Sequence, residues 1–166
     1  MNILETERLL LREFELTDAK FILTLVNTPG WLEFIGDRNI KTEAAAVTYL
    51  QSGPMKSYRE NGFGLWMVEK KDGTPIGMCG ILKRESLDHP DIGFAFLPEA
   101  MGMGYAFETA SATMRYAKTR LHLQTILAIT VPKNKKSIRL LEKIGLSFVQ
   151  TTFSPIDHEA LMLFSN

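Results

Sequence analysis

Residues 101 to 106 read Met-Gly-Met-Gly-Tyr-Ala, between an apolar stretch ending at Leu97 and an amphipathic segment opening near Ala106. Glycine lets backbone N–H groups approach a ligand closely, and the first turn of a helix leaves its N–H groups unpaired. Those donors, with the helix dipole, favour a phosphate or pyrophosphate. Taken alone, the loop fits a plain strand–turn–helix connection equally well, its glycines serving only the turn. Two nucleotide-binding patterns fail on spacing. Gly102-x-Gly104 lacks the third glycine of G-x-G-x-x-G, where Phe107 stands, and no acidic residue about twenty positions later sits at a strand end to hold a ribose. The Gly-Lys-Ser/Thr of a Walker loop is absent.

Other reactive side chains carry less. His89, His122 and His158 are scattered without ligand spacing, so no metal site is expected. Cys79, the only cysteine, falls mid-strand and reads as buried rather than nucleophilic; an intramolecular disulfide is excluded.

The elements that must hold the loop follow from periodicity. Leu9 to Phe14 reads as a first strand. Thr17-Asp18 can cap a helix with Phe21, Ile22, Leu25 and Val26 on one face, ending near Pro29-Gly30. Thr42-Glu43 opens a second helix, with Ala46, Tyr49 and Leu50 at helical spacing. Gly64 to Glu69 and Ile76 to Leu82 form a hairpin across Lys71-Asp72-Gly73. In the strand Asp91 to Leu97, Ile92, Phe94 and Phe96 face one way and Gly93, Ala95 and Leu97 the other. After the glycine loop, Ala106, Ala110, Met114 and Ala117 mark a helix. Gln124 to Val131 is a strand ended by Pro132, and Ser137 to Ile144 is a short helix stopped by Gly145. Phe148 to Phe153 and Ala160 to Phe164 close the chain as strands. Strands flanked by helices in this order predict a mixed-sheet α/β (α+β) layer fold, not a regular doubly wound one.

Composition bounds the function. At 166 residues the length predicts a single domain, 1–166, and 45% hydrophobic with 23% charged residues is ordinary for a globular chain. A formal net charge of zero gives no general field for nucleic acid. The basic patch Lys133 to Lys136 with Arg139 reads as a solvated loop face. The start carries no signal-peptide pattern, and no apolar run approaches the roughly 20 residues that span a bilayer. A soluble cytoplasmic protein, free of membrane and nucleic acid, is the expectation.

Four segments share one resemblance. Met101-Gly-Met-Gly-Tyr-Ala resembles motif A of the GNAT N-acetyltransferase superfamily, Q/R-x-x-G-x-G/A, with Gly104 and Ala106 in its small positions. Asn134-Lys-Lys-Ser137 with Leu141-Glu142-Lys143-Ile144-Gly145-Leu146 resembles motif B. Thr6-Glu7-Arg8-Leu9-Leu10-Leu11-Arg12, with Asp18-Ala19, is similar to the opening of the ribosomal-protein N-terminal acetyltransferase branch, and Pro90-Asp91-Ile92-Gly93-Phe94 to that branch's A-E-I-G-Y strand. Together they cover nearly the whole chain, in order.

The resemblance implies a largely antiparallel sheet of six to seven strands, flanked by about four helices and splayed between the fourth and fifth strands, the fourth ending in a bulge. It implies acetyl-CoA as cosubstrate, no metal, and a homodimer as a family-compatible assembly. Pantetheine would run along Phe96 and Leu97, its pyrophosphate on the amides of Gly102, Met103, Gly104, Tyr105 and Ala106, with Asn134 and Ser137 on the far wall. Small Gly93 and Ala95 leave room on the strand. Asp91 aligns with the family's glutamate and is the candidate base, acting directly or through water; a solvated strand-end carboxylate is the other reading. The tyrosine that many members use as general acid falls at Leu141, so Ser137 is the candidate near the leaving thiolate, and it is equally a helix N-cap. An N–H at Phe96 or Leu97 would polarise the thioester. Trp31, Phe34 and Asp37 fall in the region that shapes the acceptor site; packing is the alternative for the two aromatics.

The implied activity is acetyl transfer to a primary amine, of a protein N-terminus or a small molecule. At pH 7.4 a lysine-type amine is about 0.1% neutral, a handicap of about 4 kcal/mol, whereas an α-amine is about a quarter neutral. A chain without a strong base thus favours an α-amine. A polycationic acceptor would need an acidic cleft, for which Glu33, Asp37 and Asp91 are the available members. A non-catalytic acyl-CoA-binding sensor of the same fold is the alternative.

Overall fold

Branched and aromatic runs form the strands here, and polar caps ahead of apolar spacing open the helices. The computed structural model describes residues 1–166. The chain runs β1 (Asn2–Glu5), β2 (Leu9–Arg12), a 3₁₀ turn (Leu16–Asp18), α1 (Ala19–Leu25), α2 (Pro29–Phe34), α3 (Glu43–Ser52), α4 (Pro54–Asn61), β3 (Leu65–Lys70), β4 (Pro75–Leu82) and β5 (Asp91–Phe96). A second 3₁₀ turn (Pro98–Ala100), α5 (Tyr105–Thr119), β6 (Leu127–Thr130), α6 (Lys135–Lys143), β7 (Ser147–Phe153) and β8 (Ala160–Ser165) complete it.

The eight strands make one sheet in the order β1-β2-β3-β4-β5-β6-β8-β7, antiparallel except between β5 and β6. The expected α/β class holds, with more elements than anticipated. β1 is four residues long, too short to show an alternating pattern, and exists because it pairs with β2 through Leu4↔Leu11. Pro29-Gly30, expected to end a helix, instead opens α2: the Thr28 hydroxyl accepts from the Trp31 N–H, and a proline at the first turn sacrifices no hydrogen bond. Pro54 opens α4 likewise. No helix is long and apolar enough to cross a membrane.

Each face of the sheet is covered. Trp66, Val68, Ile81, Ile92 and Phe96 pack against Ala110, Met114 and Ala117 of α5 and Leu141 of α6. On the other face Met67, Met78 and Leu97 meet Ile22, Leu25, Trp31 and Leu50 beneath α1 to α3. The alternation expected along β5 is therefore present. At that packing density Gly80 is obligatory, because a Cβ there would run into the Gly64 carbonyl just ahead of β3.

What positions the site is a parting of strands. β5 and β6 register at one pair only, Asp91↔Leu127, held by the Leu127 N–H donating to the Pro90 carbonyl at 2.9 Å. Beyond it β6 pairs with β8 over its whole length, and Pro132 follows. These are the fourth and fifth of the strands expected, so the splay lies where the resemblance put it. The bulge does not: the β4–β5 register runs unbroken from Leu82↔Asp91 to Gly77↔Phe96. Gly93 also leaves less room than expected, since a Cβ on it would meet the Leu82 side chain at 2.7 Å.

Candidate active site

From its apex at Asp91, the gap between β5 and β6 widens into a cleft of about 1370 Å³. Its backbone donors follow from the sheet. The Leu97 N–H donates to the Ile76 carbonyl at 2.9 Å, so that amide is spent on β4. In an antiparallel ladder successive residues alternate between bonding a partner strand and turning away from it. Phe94 and Phe96 therefore turn their N–H and C=O groups toward β6, which has already parted. Of the two amides considered for the thioester, Phe96 is open to the cleft and Leu97 is not; the Leu97 side chain lies in the core below α1 to α3.

The glycine loop forms the next wall. Gly102 and Gly104 both sit at φ +80°, a conformation costly for other residues, and Gly104 caps α5. The first α5 bond runs from the Glu108 N–H to the Gly104 carbonyl at 3.1 Å, leaving the N–H groups of Tyr105, Ala106 and Phe107 without helical partners. A clamp holds this turn. Arg8 donates from Nη1 to the Met103 carbonyl at 2.9 Å and from Nε to Glu108 at 2.7 Å, and its guanidinium lies 4.5 Å from the centre of the Tyr105 ring. Glu108 also accepts from the Thr6 hydroxyl at 2.7 Å. No local signal marks Arg8 and Glu108 as partners, because their pairing spans a hundred residues. Met101, Gly102, Gly104, Tyr105 and Ala106 line the cleft, whereas Met103 does not.

The opposite wall is α6 and the segment before it. Lys133, Lys135, Lys136, Arg139 and Lys143 all border the cleft, so the basic patch is a wall of the site and not merely a solvated loop face. Lys133 reaches across to α2, its Nζ 5.9 Å from the Phe34 ring centre. Asn134 caps α6, accepting the Ser137 N–H at 3.2 Å. Ser137 is thus not the cap, and it faces the cleft from the first turn. Leu141, in the position of the missing tyrosine, is 1% exposed and belongs to the core.

At the apex, Asp91 is 1% exposed. Both its oxygens accept from Arg84 Nε at 3.1 Å. Burial pushes its carboxyl up to about 6, against the opposing pull of Arg84. It is no solvated strand end. Trp31, Phe34 and Arg38 line the same region from α2 and the turn after it. Asp37 and Glu33 are not on that wall. Asp37 accepts from the Asn39 N–H at 2.8 Å and pairs with Lys41 at 3.1 Å. The acidic residues that do line the cleft are Asp91 and, from the segment ahead of β8, Asp157 and Glu159. Cys79 is fully buried against Thr113, its thiol pushed up to about 12 by burial, and no cluster of potential metal ligands occurs.

The donor set matches a polyanionic cosubstrate with an amide-bearing arm: unpaired helix N–H groups and basic side chains at one end, open β5 amides along one side. Comparison with known proteins agrees. The acetyltransferase (GNAT) domain family matches residues 8–147. YkkB of Bacillus subtilis strain 168 is 31% identical, over 89% of this chain and 87% of its own; YnaD of the same strain, an uncharacterized N-acetyltransferase, is 28% identical over 85% and 80%. The structure of RimL, a ribosomal L7/L12 α-N-protein acetyltransferase in complex with coenzyme A, superposes with a TM-score of 0.85 at 12% identity, covering 100% of this chain and 97% of its own. A cleft opened by one strand pair, walled by a glycine-capped helix and matched by that family over most of its length, makes the chain a member of the GNAT family and an acetyl-CoA-dependent N-acetyltransferase.

Proposed function

We propose that this protein acetylates the α-amine of a protein N-terminus or of a small molecule, with Asp91 as the base. The observation that carries the reading is the single β5–β6 pair at Asp91, which puts a buried carboxylate at the apex of the cleft where the free β5 amides begin. Acetyl-CoA supplies an activated thioester. Its pyrophosphate is assigned to the amides of Gly102 to Ala106, its other phosphate to the α6 lysines, and its pantetheine to Phe96 and Asn134. The Phe96 N–H is aimed where negative charge develops on the thioester oxygen. Leu97 and Asp37 drop out of the expected set, the first because its amide bonds β4 and the second because it pairs with Lys41.

In the transfer a nitrogen–carbon bond forms and the carbon–sulfur bond breaks. Asp91 receives the proton that the amine loses, and Ser137 hydrogen-bonds the departing sulfur. A carboxyl near 6 is a workable base at neutral pH for an α-amine, and a poor one for a lysine-type ammonium. Trp31 and Phe34 bound the acceptor. Thiol release from acetyl-CoA, measured against peptides with varied N-termini and a panel of small amines, tests the assignment. Turnover with at least one α-amine is expected. Tight acetyl-CoA binding with no turnover on any amine would instead show the non-catalytic sensor.

A further inference from the structure

Asp91 is buried, and a buried carboxyl left to itself stays protonated at neutral pH and cannot take up a further proton. Its surroundings therefore decide whether it can serve as a base. β4 and β6, the strands on either side, carry no charged residue. In the loop from β4 to β5, Lys83, Glu85, Asp88 and His89 are exposed. Tyr49 on α3 lies near Arg84, and Arg38, Lys133, Asp157 and Glu159 line other parts of the cleft. Among all these groups only Arg84 bonds the carboxyl or bears on its charge.

The end of a ladder places Arg84 there. The β4–β5 pairing stops at Leu82↔Asp91, and Arg84 stands two residues beyond, its carbonyl accepting the Leu87 N–H at 3.2 Å. The side chain turns back so that Nε lies 3.1 Å from each Asp91 oxygen. A guanidinium fork would instead set two parallel N–H groups on the two oxygens. Here a single N–H is shared between them. An ionised carboxylate has about four lone-pair positions, so each oxygen keeps room for a proton. The other guanidinium nitrogens bond nothing in the protein, and the side chain is 36% exposed. We infer that Arg84 is a positioning residue: it holds the Asp91 carboxylate charged and fixed at the apex while leaving an oxygen free for the amine's proton. This rests on the reading of Asp91 as the base and names what makes a buried carboxyl fit for it. A merely structural pair would lower the rate equally at every pH.

The test is the ratio of variant to wild-type kcat/KM for one α-amine acceptor from pH 5.5 to 9.5, in which the amine's own titration cancels. An opposite charge this close holds a carboxyl down by about 1 to 3 pH units. In Arg84→Gln the bend expected at about 6 should therefore move up by at least about one unit. The variant should be at least about threefold slower at pH 6.5 and should recover by about pH 9.5, with KM for acetyl-CoA unchanged. Arg84→Lys, which keeps the charge, should regain most of the loss at pH 6.5. Carbon-13 NMR of carboxyl-labelled aspartate, the Asp91 signal assigned by its loss in Asp91→Asn, should show the same upward movement with no acceptor present. A ratio that stays flat with pH, or an Asp91 signal that titrates in Arg84→Gln as in the wild type, overturns the inference and leaves Asp91 as the base. A wild-type profile with no bend near 6 overturns the reading beneath it.

Discussion

Asp91 is where the mechanism is most exposed to refutation, through the pH dependence of kcat/KM. Its carboxyl titrates at about 6, raised by burial against the pull of Arg84. Its ionised fraction is then about 0.9 at pH 7 and about 0.1 at pH 5, so this group alone takes away about tenfold of the rate. The amine titrates as well, with an α-amine near 8, and contributes a slope of about one in log kcat/KM below that value. The wild-type profile should rise with a slope of two below pH 6 and a slope of about one from there to the amine's own pKa. In Asp91→Asn the lower bend should vanish, leaving a slope of one throughout, and the rate at pH 7.5 should fall by about 10² to 10⁴, the usual worth of a general base. The substitution is nearly isosteric, and the Arg84 side chain it leaves unpaired is 36% exposed, so solvent can take the guanidinium. Unchanged acetyl-CoA affinity would verify that the fold survives. A variant that keeps the bend near 6, or loses less than about threefold in rate, would remove Asp91 from the chemistry.

The same burial predicts a stability effect of opposite sign. A carboxyl titrating at about 6 in the folded chain and at 3.8 in the open chain favours folding below 3.8, and that contribution is lost as pH rises through 6. Asp91→Asn should therefore stabilise the fold at pH 7.5 by up to about 3 kcal/mol, the pull of Arg84 being already included in the value near 6, and a thermal melt at pH 3.5 should show no gain in Tm. Gly104→Asp places a charged residue at φ +80° on the helix N-terminus, and calorimetry should find acetyl-CoA affinity at least about a hundredfold weaker; unchanged affinity would show the loop to be misassigned. Arg8→Ala frees the Met103 carbonyl and Glu108, and the acetyl-CoA Kd should rise about tenfold, with a smaller change in acceptor KM. Equal effects on both would place the clamp's influence elsewhere.

Legibility in the sequence tracked distance along the chain. The hairpin at Asp72-Gly73, the cap at Thr42 and the two faces of β5 were readable, because each depends on neighbours within a few residues. The short β1 was not, since its hydrogen bonds lie on β2 and its own side chains show no period. Pro29 misled for a related reason: the residue that stops one helix also suits the first turn of the next, and only the Thr28 cap settles which. The glycine pattern marked the start of α5 but not the Arg8–Glu108 clamp behind it, which ties the segment between β1 and β2 to that helix.

By itself the sequence determined the family and singled out the glycine loop and Asp91 as candidates, because those rest on residue types at fixed local spacing. Tertiary structure alone decided which of them act together. Strand register spends the Leu97 amide on β4 and turns the Phe96 amide to the cleft. Side-chain direction sets Asp37 against Lys41 and leaves Arg38 on the wall. Burial lifts the Asp91 carboxyl from the ordinary carboxylate range to about 6. Register, direction and burial arise only when distant segments meet, so no reading of single residues could supply them.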